Sequence, residues 1–544
     1  MKTRPIILVL MVLLIGSAFT TVASAEVSAQ YEGLRADLRN NAQLNELLVE
    51  LTEVKLNKAI PVLNALEELG GEDLLPLFQT MLKGDLYYLK KDKSLVAKGE
   101  ESYKGVFSGL IIEDVSRSDT SKVKVNNKLR RLLRESISRI QLNSPKASVR
   151  EQAIISLLSE LDDSIIQTLN ERKAIEKDDD VLDIMDVAFA MFTLQSSEDI
   201  AQKVEAIQFL GDRLENDVRN LLIQVKANSD NAQIKAATSK ALKTIEQRVE
   251  NFQFVDKLFF GLSLGSVLLL AAIGLAITFG VMGVINMAHG EMIMLGAYTT
   301  YVVQMFIPVD YSIWVAIPAA FIVSGLVGIL IERGVIRHLH GRPLETLLAT
   351  FGISLILQQL VRTIFSPLNR QVESPSWMSG SLDINPVLSL TMNRLYILAF
   401  ALLVFGLLLL VLNKTSLGLN VRAVAQNRSM AKAMGIRTDR VDAMTFGLGS
   451  GIAGMAGVAL SQLTNVGPNL GQAYIIDSFM VVVFGGVGNL WGTLVAGFSL
   501  GIANKFIEPI TGAVLASILV LIFIILFIQK RPKGLFPQKG RAAE

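Results

Sequence analysis

The chain has 544 residues, room for more than one domain, and 51% are hydrophobic against 19% charged. A formal net charge of +2 gives no reason to expect a nucleic-acid partner. With no cysteine and three histidines (His289, His338, His340), disulfides and a metal centre built on Cys or His are not expected, and no cofactor is implied. The charges crowd into residues 26–256 and thin out afterwards, which divides the chain in two.

At the start, Lys2 and Arg4 precede an apolar core from Ile6 to Gly16, and Ala23-Ser24-Ala25 completes an A-x-A cleavage pattern. The core is too short to span a bilayer comfortably, so residues 1–25 read as a signal peptide, with an uncleaved anchor as the competing reading. Cleavage before Glu26 would place the next segment outside the cytoplasmic membrane.

Residues 26–250 read as a mainly helical periplasmic domain. Leu44, Leu47, Leu48 and Leu51 recur at helical spacing, as do Ile154, Leu157, Leu158 and Leu161. A likeness between Ala153-Ile154-x-x-Leu157, Ala206-Ile207-x-x-Leu210 and Ala237-Thr238-x-x-Ala241 suggests stacked helix pairs resembling HEAT repeats, although the spacing is uneven. Leu86–Ile112, with Tyr87, Tyr88, Val96, Val106 and Phe107 around Gly99 and Gly105, reads as a small β element. Asp178-Asp179-Asp180 reads as a solvated acidic run rather than a cation site. No catalytic constellation is visible, and a docking or regulatory role is the expectation.

Residues 251–544 read as a membrane domain. Seven apolar segments are candidate crossings: Leu258–Val281, Val284–Phe306, Ile313–Ile331, Leu347–Phe365, Leu395–Leu412, Met444–Leu463 and Ala513–Ile528. Arg333, Arg337 and Arg342 follow the third, and Lys414, Arg422, Arg428, Lys432, Arg437 and Arg440 follow the fifth. Lys530, Arg531, Lys533, Lys539 and Arg541 fill the tail. The positive-inside rule makes these loops and the C-terminus cytoplasmic. With an external N-terminal domain the number of crossings must be odd, so Tyr474–Phe506 should make no net crossing. It reads as a re-entrant or broken hairpin whose tip, Gly485, Gly486, Gly488 and Asn489, lies deep in the protein. Two ordinary helices would satisfy the same parity.

Gly280–Tyr298 (GVMGVINMAHGEMIMLGAY) interrupts the apolar run with Asn286, His289 and Glu291. Ionisable groups at membrane depth are costly and usually line a polar path; the alternative is a position near the membrane surface. Gln358 and Gln359 interrupt the fourth segment, and either could face that path or bond a neighbouring helix. After the fifth segment, Leu417–Met444 is longer than a connector needs. It carries a short helical pattern closed by Gly435, suited to docking in a partner's groove. The chain has no G-x-x-x-x-G-K-[ST] motif, so any ATP-driven step would need a partner.

GLSLGS (Gly261–Ser266), GLAITFGVMGVINMAHGEMIMLGAY (Gly274–Tyr298), RAVAQNRSMAKAMGI (Arg422–Ile436) and FGGVGNLWGTLVAG (Phe484–Gly497) together resemble the permeases of branched-chain amino-acid-type ABC importers. The signal peptide and helical extension resemble that family's urea-importing branch. The resemblance implies an all-α fold: a polytopic helical permease with about seven crossings plus a broken or re-entrant hairpin, behind a HEAT-like soluble domain with a small β element. It implies an inner-membrane subunit, not itself an enzyme. Its partners would be a second related permease, two ATP-binding-cassette ATPases and a periplasmic solute-binding protein. It further implies a path lined or gated by Asn286–Glu291 and Gly485–Asn489, and a coupling loop carried by Arg422, Ala425, Asn427, Ala431, Ala433, Gly435 and Ile436. The implied solute is urea or a related small amide; branched-chain amino acids, or passage through an ATP-independent channel, are the alternatives.

Overall fold

The structure, a computed structural model, describes residues 33–536 apart from 55–57, 100–101, 113–114 and 340. The signal-peptide reading and the tail charges Lys539 and Arg541 lie outside the described residues. The chain forms two compact units that divide between Ile245 and Glu246.

The first unit opens with helices α1 (Ala36–Arg39), α2 (Ala42–Glu53), α3 (Ala59–Gly70) and α4 (Leu75–Lys83). Leu44, Leu48, Leu63, Leu66, Leu77 and Phe78 on these helices bury against Leu86 and Leu95 of a five-stranded antiparallel sheet. Its strands are β1 (Leu86–Leu89), β2 (Leu95–Lys98), β3 (Tyr103–Gly105), β4 (Ile111–Ile112) and β5 (Thr120–Lys122), in the order β4-β3-β2-β1-β5. The last strand extends beyond the expected β element, because its residues, Thr-Ser-Lys, carry no apolar alternation; pairing of Thr120 with Leu89 and Ser121 with Tyr88 places it at the sheet edge.

Helices α5 (Asn127–Leu142), α6 (Ala147–Leu157), α7 (Asp163–Lys173), α8 (Asp179–Ser196), α9 (Ile200–Leu210) and α10 (Asn216–Asn228) follow through short loops. Side-chain caps start several of them. Asn126 accepts from Leu129 N at 2.8 Å and Asp162 from Ile165 N at 2.9 Å. Asp178 caps α8 and Asp179 and Asp180 occupy its first turn, so the acidic run complements a helix dipole. Beside it, the enclosed side chain of Glu176 accepts from Arg150 Nε at 2.8 Å and Arg150 Nη2 at 2.7 Å.

α11 (Ala232–Met282) carries the chain into the second unit, where α12 (His289–Gln304), α13 (Val309–Gly334), α14 (Pro343–Phe365) and α15 (Met392–Lys414) follow. Then come the short α16 (Ser416–Gln426) and α17 (Arg428–Ala433), and α18 (Thr438–Ser461), α19 (Leu470–Gly485), α20 (Leu490–Thr511) and α21 (Ala513–Lys530). Seven of these are long and apolar enough to cross a bilayer: α11, α13, α14, α15, α18, α20 and α21. The apolar windows of α11 and α18 are each 83% buried, whereas those of the other five are 17–33% buried. α11 and α18 therefore form the centre and the others the periphery. Glycine makes the central packing possible: a Cβ at Gly296 of α12 would fall on the backbone of Gly454 of α18.

Two segments differ from the expected crossings. Val284–Phe306 is not one helix: residues 283–288 are non-helical and α12 has 16 residues, roughly 24 Å at the helical rise. That is shorter than a hydrocarbon core of about 30 Å. The 474–506 stretch forms α19 and α20 around a turn, and α20, with 22 residues, is long enough to cross by itself.

Candidate functional site

The break between α11 and α12 brings polar side chains into the centre of the second unit. At its start Gly283 takes a left-handed φ of +67°, which ends α11. Asn286 Oδ1 accepts from Ala288 N at 3.0 Å, and Met287 N donates to Thr350 Oγ1 at 3.2 Å, so the non-helical backbone is pinned from two sides. α12 then starts at His289, with Glu291 in its first turn, where the positive end of the helix dipole favours a carboxylate.

His289 Nε2 lies 2.9 Å from the carbonyl of Ala271, which can only accept, so Nε2 carries the proton. This contact sets α12 beside the last quarter of α11: Ala271 stands 11 residues, roughly 16 Å, before the end of that helix at Met282. Glu291 Oε1 accepts from Ser354 Oγ at 2.8 Å and Gln358 Nε2 at 2.7 Å. Asn286, His289 and Glu291 are each at most 1% exposed.

Thr346, Thr350, Ser354 and Gln358 recur every four residues and form the buried stripe of α14 that faces the break. Gln358 therefore joins the site. Gln359, about 100° further round the helix, is exposed and does not. Tyr298, two turns beyond Glu291 on α12, is also buried. Four polar atoms along this stretch have no hydrogen-bond partner among the described residues: Asn286 Nδ2, His289 Nδ1, Glu291 Oε2 and Tyr298 OH. Buried polar atoms are nearly always bonded, so these four leave hydrogen-bonding capacity open to a water or a solute. Residue type alone does not single out Thr350, Ser354 or Tyr298. Their signal was spacing: four residues apart on α14, and seven from Glu291 on α12.

The glycine-rich tip stands elsewhere. Gly280 of α11 packs on Gly488, nine residues and roughly 14 Å along the helix from Ala271, so the tip lies at the foot of the break. Gly486 adopts φ +105° to turn the chain from α19 to α20, and Asn489 Oδ1 caps α20 through Gly492 N at 3.1 Å. The tail closes over this turn: Leu535 N donates to Phe484 O at 2.9 Å, Phe536 N to Gly485 O at 3.2 Å, and Asn489 Nδ2 to Phe536 O at 3.1 Å. Gly485, Gly486, Gly488 and Asn489 thus pack as a bonded turn at the basic end of the bundle. The glycines serve a sharp turn and close approach of the tail, and Gly488 and Asn489 line a groove at this end of the bundle rather than the buried break itself.

A groove of about 710 Å³ joins this turn to the loop after α15, with Gly280, Arg422, Ala425, Asn489, Trp491 and Phe536 among its walls. The loop is two helices rather than one: Asn427, at φ −154° and ψ 101°, ends α16 and caps α17 through Met430 N at 2.9 Å. Arg422 donates to the carbonyl of Leu412 at the end of α15. Ala431 is buried, Ile436 is partly buried, and Ala433 and Gly435 (φ +86°) are exposed beside the apolar, exposed Met430 and Met434. Arg428 ties the loop to the central helix by a two-pronged pair with the buried Asp442 of α18, at 3.1 and 2.5 Å.

A bundle of apolar spanning helices around a polar break defines a polytopic α-helical membrane permease. The family described as the branched-chain amino acid transport system / permease component matches residues 257–528. The high-affinity branched-chain amino acid transport system permease protein LivH of Salmonella typhimurium is 31% identical over 296 residues, 52% of this chain and 95% of the relative. BraD of Pseudomonas aeruginosa, which carries the same description, is 30% identical over 299 residues, 53% of this chain and 96% of the relative. The ribose import permease protein RbsC of Bacillus subtilis is 32% identical over 110 residues, covering 19% of this chain and 34% of its own. No solved structure matches. The chain belongs to the family of permease components of branched-chain amino acid transport systems.

Proposed function

We propose that the chain is the permease subunit of an ATP-binding-cassette importer and forms half of a translocation pathway for urea or a related small amide. The observation that carries the solute reading is the set of unbonded polar atoms at Asn286, His289, Glu291 and Tyr298. It combines the donors Asn286 Nδ2 and Tyr298 OH with the acceptors His289 Nδ1 and Glu291 Oε2, and has no Lys or Arg paired to Glu291 among the described residues. A neutral amide offers N–H donors to a carboxylate and a carbonyl to a donor such as Asn286 Nδ2. A zwitterion also needs a cation for its own carboxylate, and Arg362, one turn beyond Gln358, donates to Asn469 at 2.7 Å.

In this reading α16 and α17 dock on partner ATPases and pass their motion to α18 through Arg428 and Asp442, rocking the central helices so that the closed break opens. A second related permease completes the pathway and a solute-binding protein delivers to it. The basic end of the bundle is then cytoplasmic, and residues 26–250 form a periplasmic docking module on a bacterial inner-membrane protein. The acceptance of branched-chain amino acids is the second reading, favoured by what LivH and BraD are described as transporting.

Uptake of labelled urea and leucine by membranes carrying the chain and its partners, with and without the ATPases, tests the proposal. ATPase-dependent urea uptake supports it. Uptake of leucine alone selects the second reading, and flux that survives loss of the ATPases removes the importer assignment.

A further inference from the structure

At the basic end of the second unit, a cavity of about 580 Å³ opens between the foot of α13 and the start of α18. Arg333, Arg337, Lys432, Arg437 and Arg440 line it, with Asp439 as the one acidic neighbour in its wall. Asp439 is already paired with Arg337, at 2.9 Å. The side chains of the other four cations have no hydrogen-bond or ion-pair partner among the described residues. α18 begins in the same wall at Thr438 without a side-chain cap, so its first N–H groups add positive potential.

Positive residues on a cytoplasmic loop are ordinary when they spread into water. Here they converge on one concavity, where their repulsion is relieved by a bound anion. The outer face of α13 supplies the second half of the site. Ile322, Leu326 and Leu330 stand four residues apart on it, exposed, with Leu330 at 70%, and the stripe runs down to Arg333. A free phosphate would use the cations alone. An amphiphile would use both.

We propose that this cavity is a binding site for the phosphate headgroup of an anionic phospholipid. The guanidinium groups of Arg333, Arg437 and Arg440 and the ammonium of Lys432 surround the phosphate oxygens. The acyl chains lie along Ile322, Leu326 and Leu330. Because Lys432, Gly435 and Ile436 belong to both this cavity and the loop after α15, the bound lipid braces that loop against α13. This inference does not depend on which solute is carried.

Native mass spectrometry of the full-length protein, released from micelles doped with phosphatidylglycerol or phosphatidylcholine, tests it. Wild type should retain phosphatidylglycerol in preference, and Arg333→Gln with Arg440→Gln should lose about fivefold of that preference for each charge removed. Arg342→Gln, which removes a basic residue outside the cavity that is paired with Glu345, should change nothing. Equal retention of the two lipids by wild type overturns the site. So does an equal loss in Arg342→Gln, or displacement of the lipid by excess inorganic phosphate, which would make the ligand a free anion.

Discussion

Glu176 in the first unit and Glu291 in the second both have enclosed side chains, and the two are treated in opposite ways. Glu176, 2% exposed at its side chain, meets Nε and Nη2 of Arg150, the guanidinium of Arg172 at 3.5 Å, and the backbone N–H groups of Lys177 and Asp178 at 2.9 and 3.2 Å. The hydrogen bonds from Arg150, with the backbone donors behind them, hold its carboxyl down to about 2. Glu291 is as deeply buried, yet only Oε1 is bonded, to two neutral donors, and Oε2 is left with none. The first carboxylate is completed by folding. The second is left incomplete by it, and only an incomplete group has capacity left for a solute.

That contrast can be broken most forcefully at Glu176. Glu176→Gln strands a buried guanidinium, a change that costs about 3–5 kcal/mol. Protease cleavage of residues 33–245 in the full-length protein should therefore begin at a clearly lower temperature, with the ratio of urea to leucine uptake unchanged. The pH dependence follows from the same group. Its folded value lies below its unfolded one, so its contribution is fully present above about pH 4.5 and drains away as pH falls toward about 2. The wild-type unit should lose resistance to an acid protease across that window, and Glu176→Gln should show a flatter profile there. An unchanged profile would mean the two glutamates are not so different after all.

At Glu291 the expected effect is smaller in stability and larger in transport. Glu291→Ala leaves Ser354 and Gln358 without their acceptor, about 1–3 kcal/mol, while removing an atom that had no partner. Uptake should fall tenfold or more at normal membrane abundance. Glu291→Gln, which keeps an acceptor for Ser354, should recover part of it with an altered preference between urea and leucine. A normal preference in both variants would reduce Glu291 to a packing residue.

The sequence showed the break because a polar trio in an apolar run is visible in one dimension. It could not show the partners of that trio. Threonine and serine are common in spanning helices, and only the rotation of α14 against α12 distinguishes Thr350 and Ser354 from the rest. The same rotation separates Gln358 from its neighbour Gln359. The surroundings of the tip were hidden for another reason: glycine serves a sharp turn as readily as a conduit. The residues that decide between them, Leu535 and Phe536, lie about fifty positions away. The division into a charged unit and an apolar one was legible throughout, since burial of charge is what water and lipid treat most differently.

Asn489 sets the lower limit of the comparison, because the tip resembles the break in composition and differs from it in having its polar groups bonded. Its side chain caps α20 and donates to Phe536 O, so Asn489→Ala removes one cap, worth about 1 kcal/mol, and loosens the tail. If the turn belongs with the coupling groove, uptake should fall only a few-fold, urea and leucine should fall together, and cysteine labelling near Phe536 should speed up. A change in the ratio of the two solutes would instead return the tip to the solute path. Glu291 and Asn489 would then belong to one site, since a turn that only braces the tail touches no solute and has no means of telling one from another.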